Sequence, residues 1–323
     1  MTFVDEVSRW ALGSIVFAAA PSHVDTYGLT DDDGVAWGMD VDQGWWDTPE
    51  IRADSLPLSL RDGARPTDGY RGARVLSVRG GIVHGDTRVT INALQRLLDE
   101  LDIVRADGAL VGYEANAIKQ LTVRRAAPVD VDWSGPTVRW ATTLVAADWR
   151  KYDAIEQSVF LGPYTAPTDG IDLTADSGAD LGIDFALDSG ADLGIDFAGT
   201  PGAYPDHEVV NAGSARTYPV VEFRGPSSSS MTSFKVTNLT TGGVLQIGTT
   251  VNAGESLFAD MRAAYGLSSG APVTLGGVSR YGSWVSPRTP WYLDPGTNLL
   301  RFQVLAGTAT GASARVTWRS AWE

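Results

Sequence analysis

The sequence predicts a mainly β protein: an N-terminal β-rich domain with one α-helix, an acidic β-ribbon connector, and a C-terminal β-sandwich or jelly roll. Three observations carry this expectation. Short runs of alternating apolar and polar residues recur along the chain between Gly, Pro, Asn and Ser clusters, as half-buried strands require. Apolar residues recur at helical spacing in one stretch, 88–101. The 323 residues also exceed the size at which a single core stops growing, so two domains of roughly 150 and 110 residues plus a connector are the natural division. Its boundaries are drawn at 1–152, 153–210 and 211–323.

Composition narrows the function classes. A hydrophobic content of 43% with 11 Trp and 36 Gly suits a globular, turn-rich chain rather than a disordered one. The net charge of −14 is local: residues 152–215 hold twelve Asp or Glu and no Lys or Arg, and everything else nets −2. Neither half therefore offers the basic field that phosphate contacts need, which argues against stable nucleic-acid binding. With no Cys there are neither disulfides nor thiolate metal sites, which suits assembly in a reducing cytoplasm. No stretch approaches the roughly twenty apolar residues that cross a bilayer, so no membrane insertion is expected.

Taken in order, the apolar run Trp10–Ala20 follows Asp5 and Glu6, where a signal peptide needs positive charge, so it reads as a strand. Leu56, Leu58 and Leu60 alternate with Ser and Pro, Arg74–Val78 alternates again, and Gly80-Gly81 punctuates before Ile82-Val83. Asp86 and Thr87 then supply N-cap chemistry. Ile91, Leu94, Leu98 and Leu101 predict a helix over Arg88–Leu101 with that face on the sheet. Strands resume at Leu110–Tyr113, Ile118–Arg125 and Val138–Val145, where Val138, Trp140, Thr142 and Leu144 share a face.

From Asp172 to Asp196 an aspartate stands at every fourth position, inside a nearly perfect tandem repeat, Ala175–Ala186 and Leu187–Ala198. Asp and Gly are poor helix formers and four is twice the strand period, so the segment reads as a β-ribbon. Its odd-numbered face, including Leu181, Ile183, Phe185, Leu193, Ile195 and Phe197, is expected to be buried. Asp176, Asp180, Asp184, Asp188, Asp192 and Asp196 are calcium candidates. Residues four apart on one strand are ~13 Å apart, too far to share an ion without a hairpin or a neighbouring chain. Solvated charge that guards a ribbon edge is the favoured reading.

After about Asn211 the alternating runs come every ten to fifteen residues: Tyr218–Arg224, Phe234–Thr237, Val244–Ile247, Ser256–Asp260, Val273–Leu275, Trp291–Leu293, Leu300–Leu305 and Ala314–Trp322. That spacing, without a helical period, is the pattern of a sandwich or jelly roll. The last run puts Ala314, Val316, Trp318 and Trp322 on one face and Arg315, Thr317 and Arg319 on the other.

Chemistry-bearing motifs are sparse. Gly266-Leu267-Ser268-Ser269-Gly270 matches the nucleophile-elbow pattern, but His23, His84 and His207 all precede it and no strand–turn–helix context surrounds it. Three scattered His without Cys match no zinc motif. Asp31-Asp32-Asp33-Gly34 lacks the alternate ligands of a calcium loop and reads as a tight turn. Tyr281, Trp284 and Trp291, beside Tyr292, are candidates for a sugar-stacking platform, with Trp284 the expected exposed member because Gly and Pro surround it. No enzyme activity and no cofactor are expected.

Several stretches together resemble one family. Tyr218–Pro226, Thr237–Gly242, Trp291–Phe302 and Val316–Trp322 resemble the C-terminal domain of the distal tail proteins, or minor tail proteins, of long, non-contractile-tailed phages. Gly72–Gly80 leading into the helix, and Trp140–Asp148 followed by Lys151-Tyr152, resemble that family's N-terminal domain, with Trp149 standing where Pro is expected. The resemblance implies a structural virion protein at the tail tip, made and assembled in the bacterial cytoplasm. Six copies would form a ring through their N-terminal domains, joining the tail tube protein above to the tail-tip hub or fibre below and letting DNA pass. Galectin-like C-terminal sandwiches would project outward. The alternative is a carbohydrate-binding protein that adsorbs to a host surface glycan through its C-terminal sandwich.

Overall fold

Seven strands close on themselves in the first half of the chain. Their order around the barrel is Thr137–Ala146, Arg74–Val83, Ala36–Gln43, Ile15–Ala19, Arg9–Leu12, Gly108–Tyr113 and Ile118–Arg125. The seventh returns to the first through Arg124↔Val145 and Arg125↔Leu144. Neighbours run antiparallel except Ile15–Ala19 beside Ala36–Gln43, which is parallel. The computed structural model describes residues 9–19, 29–53, 55–57, 64–66, 69–104, 107–114, 117–164 and 206–323. The aspartate ladder with its calcium candidates, the tandem repeat, His23, Leu58 and Leu60 lie outside the described residues.

Alternation builds the barrel core as the sequence predicts: Val138, Trp140, Thr142 and Leu144 all turn inward, with Phe17, Trp37, Leu76, Ile82 and Leu121. Burial of such side chains is worth roughly 1.5–3 kcal/mol each and is the main force holding the barrel. Two local readings change. The Trp10–Ala20 run is a hairpin, not one strand, turned at Gly13 with φ +57°, a conformation that favours Gly. Gly80-Gly81 does not interrupt its strand, which runs unbroken from Arg74 to Val83. A Cβ on Gly80 would lie 2.4 Å from the Gly38 carbonyl oxygen and 2.6 Å from the Trp140 ring, so the missing side chain is what admits that indole.

The helix forms where predicted, over Thr87–Glu100, with the Asp86 carboxylate accepting from the Arg88 amide at 2.8 Å. Its buried face differs. Thr90, Ala93, Leu97 and Leu101 face the barrel, and Ile91 is 50% exposed. The Thr90 hydroxyl donates within reach of the Asp86 and Pro136 carbonyls, at 3.1 and 3.4 Å, which holds that face of the helix against the barrel.

The second half is the predicted sandwich. One sheet orders Gln157–Leu161, Ser313–Trp318, Val220–Arg224, Ser256–Asp260, Val273–Leu275 and Val278–Ser279; the other orders His207–Asn211, Gly296–Gly307, Ser230–Asn238 and Gly243–Asn252. Between them Phe223 packs on Phe234 and Phe302, with ring centroids 4.7 and 5.9 Å apart. Trp291–Leu293 forms no strand, since Pro290 and Pro295 flank it and Leu293 makes a single bridge to Thr217. A four-residue helix, Met261–Ala264, is too short to leave a period in sequence; Asp260 caps it.

The predicted final strand divides. Ser313–Trp318 stays in the sandwich, whereas Ala321–Trp322 crosses to pair with Lys151–Asp153, whose other edge pairs with Ile118–Arg125 of the barrel. The Asn211 side chain holds the crossing: its oxygen accepts from the Ala321 amide at 3.2 Å and its amide donates to the Ala215 carbonyl at 2.7 Å. One continuous sheet thus runs from the barrel into the last residues of the sandwich half.

Candidate functional site

The strand Lys151–Asp153 places charged side chains at this junction. Period-two alternation sends Lys151 and Asp153 to one face and Tyr152 to the other. Directly opposite them stand Trp322, paired with Lys151, and Lys119, paired with Asp153, so these four side chains share a face.

On that face Lys119 Nζ lies 2.5 Å from a Glu114 carboxylate oxygen and 4.5 Å from the Trp322 ring centroid. The second Glu114 oxygen accepts from Trp45 Nε1 at 3.0 Å and sits 3.8 Å from Lys151 Nζ. The Lys151 ammonium lies over the rings of Trp45 and Trp46, and burial, opposed by Glu114, pulls its pKa down to about 8. Trp322 Nε1 donates to Asp153 at 3.0 Å. These groups border an open cleft of about 510 Å³, walled by Trp46 and Trp322 and lined by Glu114, Lys119, Asp153 and Gln157.

On the opposite face Asp148 gathers donors: Arg150 Nη1 at 2.9 Å and the Tyr152 hydroxyl at 2.5 Å. Burial and the adjacent Asp148 raise the Tyr152 hydroxyl above the ordinary tyrosine range. Beneath both faces, buried Arg74 donates to the carbonyls of Trp149, Gly44, Trp45 and Asp47 at 2.6–3.1 Å, tying two loops to the barrel rim. These pairs are structural: each ionic group already holds a neighbour, and none sets a nucleophile beside a base.

The predicted sugar platform is not assembled. Trp284 is 1% exposed and Trp291 2%, both in the sandwich core, while Tyr281 is 42% exposed and meets Trp284 edge-on. Trp284 was expected at the surface because Gly and Pro surround it. Instead its segment pairs with the edge strand Gly243–Asn252, through the Ile247 bridge and the Val285 amide bonded to the Gln246 carbonyl, and this turns the indole inward. Gly243 leaves the room that Trp291 fills. Of the other motifs, Asp31 closes a tight turn, accepting from the Asp33 and Val35 amides and from Trp37 Nε1. Ser268 donates to Asp260, the helix cap. Among the described residues no group of three His, Asp or Glu is placed to hold a metal ion, and no helix is long and apolar enough to cross a membrane.

Sequence reasoning did not find the junction cleft. Trp46, Glu114, Asp153 and Trp322 come from separate segments, and no local pattern links them.

No family model matches the chain, and no curated protein does. Among solved structures it is similar to the SPP1 Dit (gp 19.1) protein, described as a paradigm of hub adsorption apparatus in phages infecting Gram-positive hosts. The TM-score is 0.55 and the identity 14%, over 89% of this chain and 100% of that one. The phage P2 baseplate in its activated conformation with calcium matches at a TM-score of 0.47 and 7% identity, over 96% of this chain and 97% of that one. The chain has a Dit-like fold.

Proposed function

We propose that the protein is a non-enzymatic structural component of a phage tail tip. In this reading the barrel half, 1–152, forms a homo-hexameric ring between the tail tube and the tail-tip hub and DNA passes through the opening; the sandwich, which takes in the strands Gln157–Leu161 and His207–Asn211 of the expected connector besides 211–323, lies outside the ring. The observation that carries the reading is likeness over the whole of the SPP1 Dit chain, both halves in one order, rather than over a single common domain.

Surface features support self-association of the barrel. The strand Asp130–Ser134 stands at the sheet edge with all five residues exposed, Val131 and Trp133 among them. An open edge bearing a Trp is a pairing and packing surface. A closed ring needs heterologous contacts, in which such an edge meets a different face of the next copy. Negative-stain imaging of the purified protein, alone and with its tail-tube partner, tests this. Closed rings with a central opening are expected; single copies under both conditions would contradict it.

A further inference from the structure

We infer that the junction cleft is a saccharide-binding site, a function separate from ring assembly and not dependent on it. Sugars are bound where an exposed aromatic face meets several hydrogen-bonding side chains: the apolar side of a pyranose stacks on the ring and its hydroxyls bond the polar groups. The junction cleft combines the two. Trp46 is 53% exposed, and the Lys151 ammonium 4.8 Å from its centroid occupies one ring face, leaving the other for a ligand. Trp322, held through Nε1 by Asp153, forms the second wall.

The polar complement is suited to hydroxyls. Asp153 and Glu114 accept one and two close protein donors respectively, below the roughly four lone-pair sites of a carboxylate. Lys119 has one carboxylate partner for three N–H bonds. Gln157 supplies a planar amide at the rim. The volume of about 510 Å³ lies within the 300–1,000 Å³ typical of small-ligand sites. The comparable cleft of about 490 Å³ beside Trp291 offers less, since Trp291 is 2% exposed and the Tyr292 ring that also lines it carries the Arg216 guanidinium 4.3 Å from its centroid.

The test is titration of the full-length protein with the methyl glycosides of glucose, galactose, rhamnose and N-acetylglucosamine, followed by tryptophan fluorescence and saturation-transfer NMR. Saturable binding of at least one in the millimolar range is expected. Trp46→Leu, which keeps apolar bulk without a ring face, should weaken it about tenfold or more, and Gln157→Ala should weaken it severalfold. Tyr281→Ala should leave it unchanged, with all three variants melting as the parent does. Absence of saturable binding by all four sugars up to about 50 mM, or binding undiminished in Trp46→Leu and in Gln157→Ala, overturns the inference.

Discussion

The Trp322 indole donates to the Asp153 carboxylate at 3.0 Å, bonding two residues far apart in sequence at the point where the chain leaves the barrel. Lys151↔Trp322 and Tyr152↔Ala321 pair beside it. The barrel and the sandwich are therefore joined twice, once by the covalent chain and once by a shared sheet.

Trp322→Ala removes the indole donor and the Lys119 contact together. A loss of about 2 kcal/mol is expected, below that of a fully buried Trp because Trp322 is partly exposed. Differential scanning calorimetry should also show one transition resolving into two as the halves uncouple. A single transition at the parent temperature would mean that the shared sheet does not couple them.

Arg74→Met should cost at least about 3 kcal/mol in urea denaturation, since four carbonyls lose their buried donor. Arg74→Lys keeps the charge but not the planar fork, and should fall between the two. Equal stability of Lys and Arg at this position would show that charge alone matters.

Lys151 makes stability depend on pH in a defined direction. Its folded pKa of about 8 lies below its ordinary value of 10.5, so below pH 8 both states are protonated and the cost of the buried ammonium is fully present. Between 8 and 10.5 the unfolded chain holds the proton and the folded chain does not, so stability rises with pH. From pH 7 to 9.5 the gain is about 2 kcal/mol. The raised Tyr152 acts oppositely only above its ordinary value of 10.0, where the unfolded tyrosine ionises first. Chemical denaturation of the parent and of Lys151→Met at the two pH values should show this gain in the parent alone; parallel behaviour would refute it.

Gly80→Ala should destabilise the barrel by about 1–3 kcal/mol, because a methyl would meet the Gly38 backbone and the Trp140 ring. An unchanged urea midpoint would show that the strand relaxes to admit it.

What the sequence made legible follows from what periodicity measures. Ile118–Arg125 and Ser256–Asp260 coincide residue for residue with the predicted strands because each buries alternate side chains. Periodicity says nothing of partners, so barrel closure through Arg124↔Val145 was not readable, nor was the departure of Ala321–Trp322 to a different sheet. The helix was legible by its cap and spacing, yet its buried face takes in Thr90 and Ala93, a polar and a small residue that a count of large apolar positions does not register. Trp284 was misplaced because Gly and Pro neighbours mark a turn, not which way an indole points. The junction site was invisible for the same reason: its residues meet only through pairing between distant strands.

The most direct test of the tail-tip reading is a cryo-EM reconstruction of the particles assembled when this chain is produced together with the other products of its genome. The account predicts a six-fold ring between tail tube and hub, its inner wall fitted by the barrel and its periphery by the sandwich. A tail tip whose density accommodates no copy of this chain, with no peptide of it detected in the particles, would contradict the account.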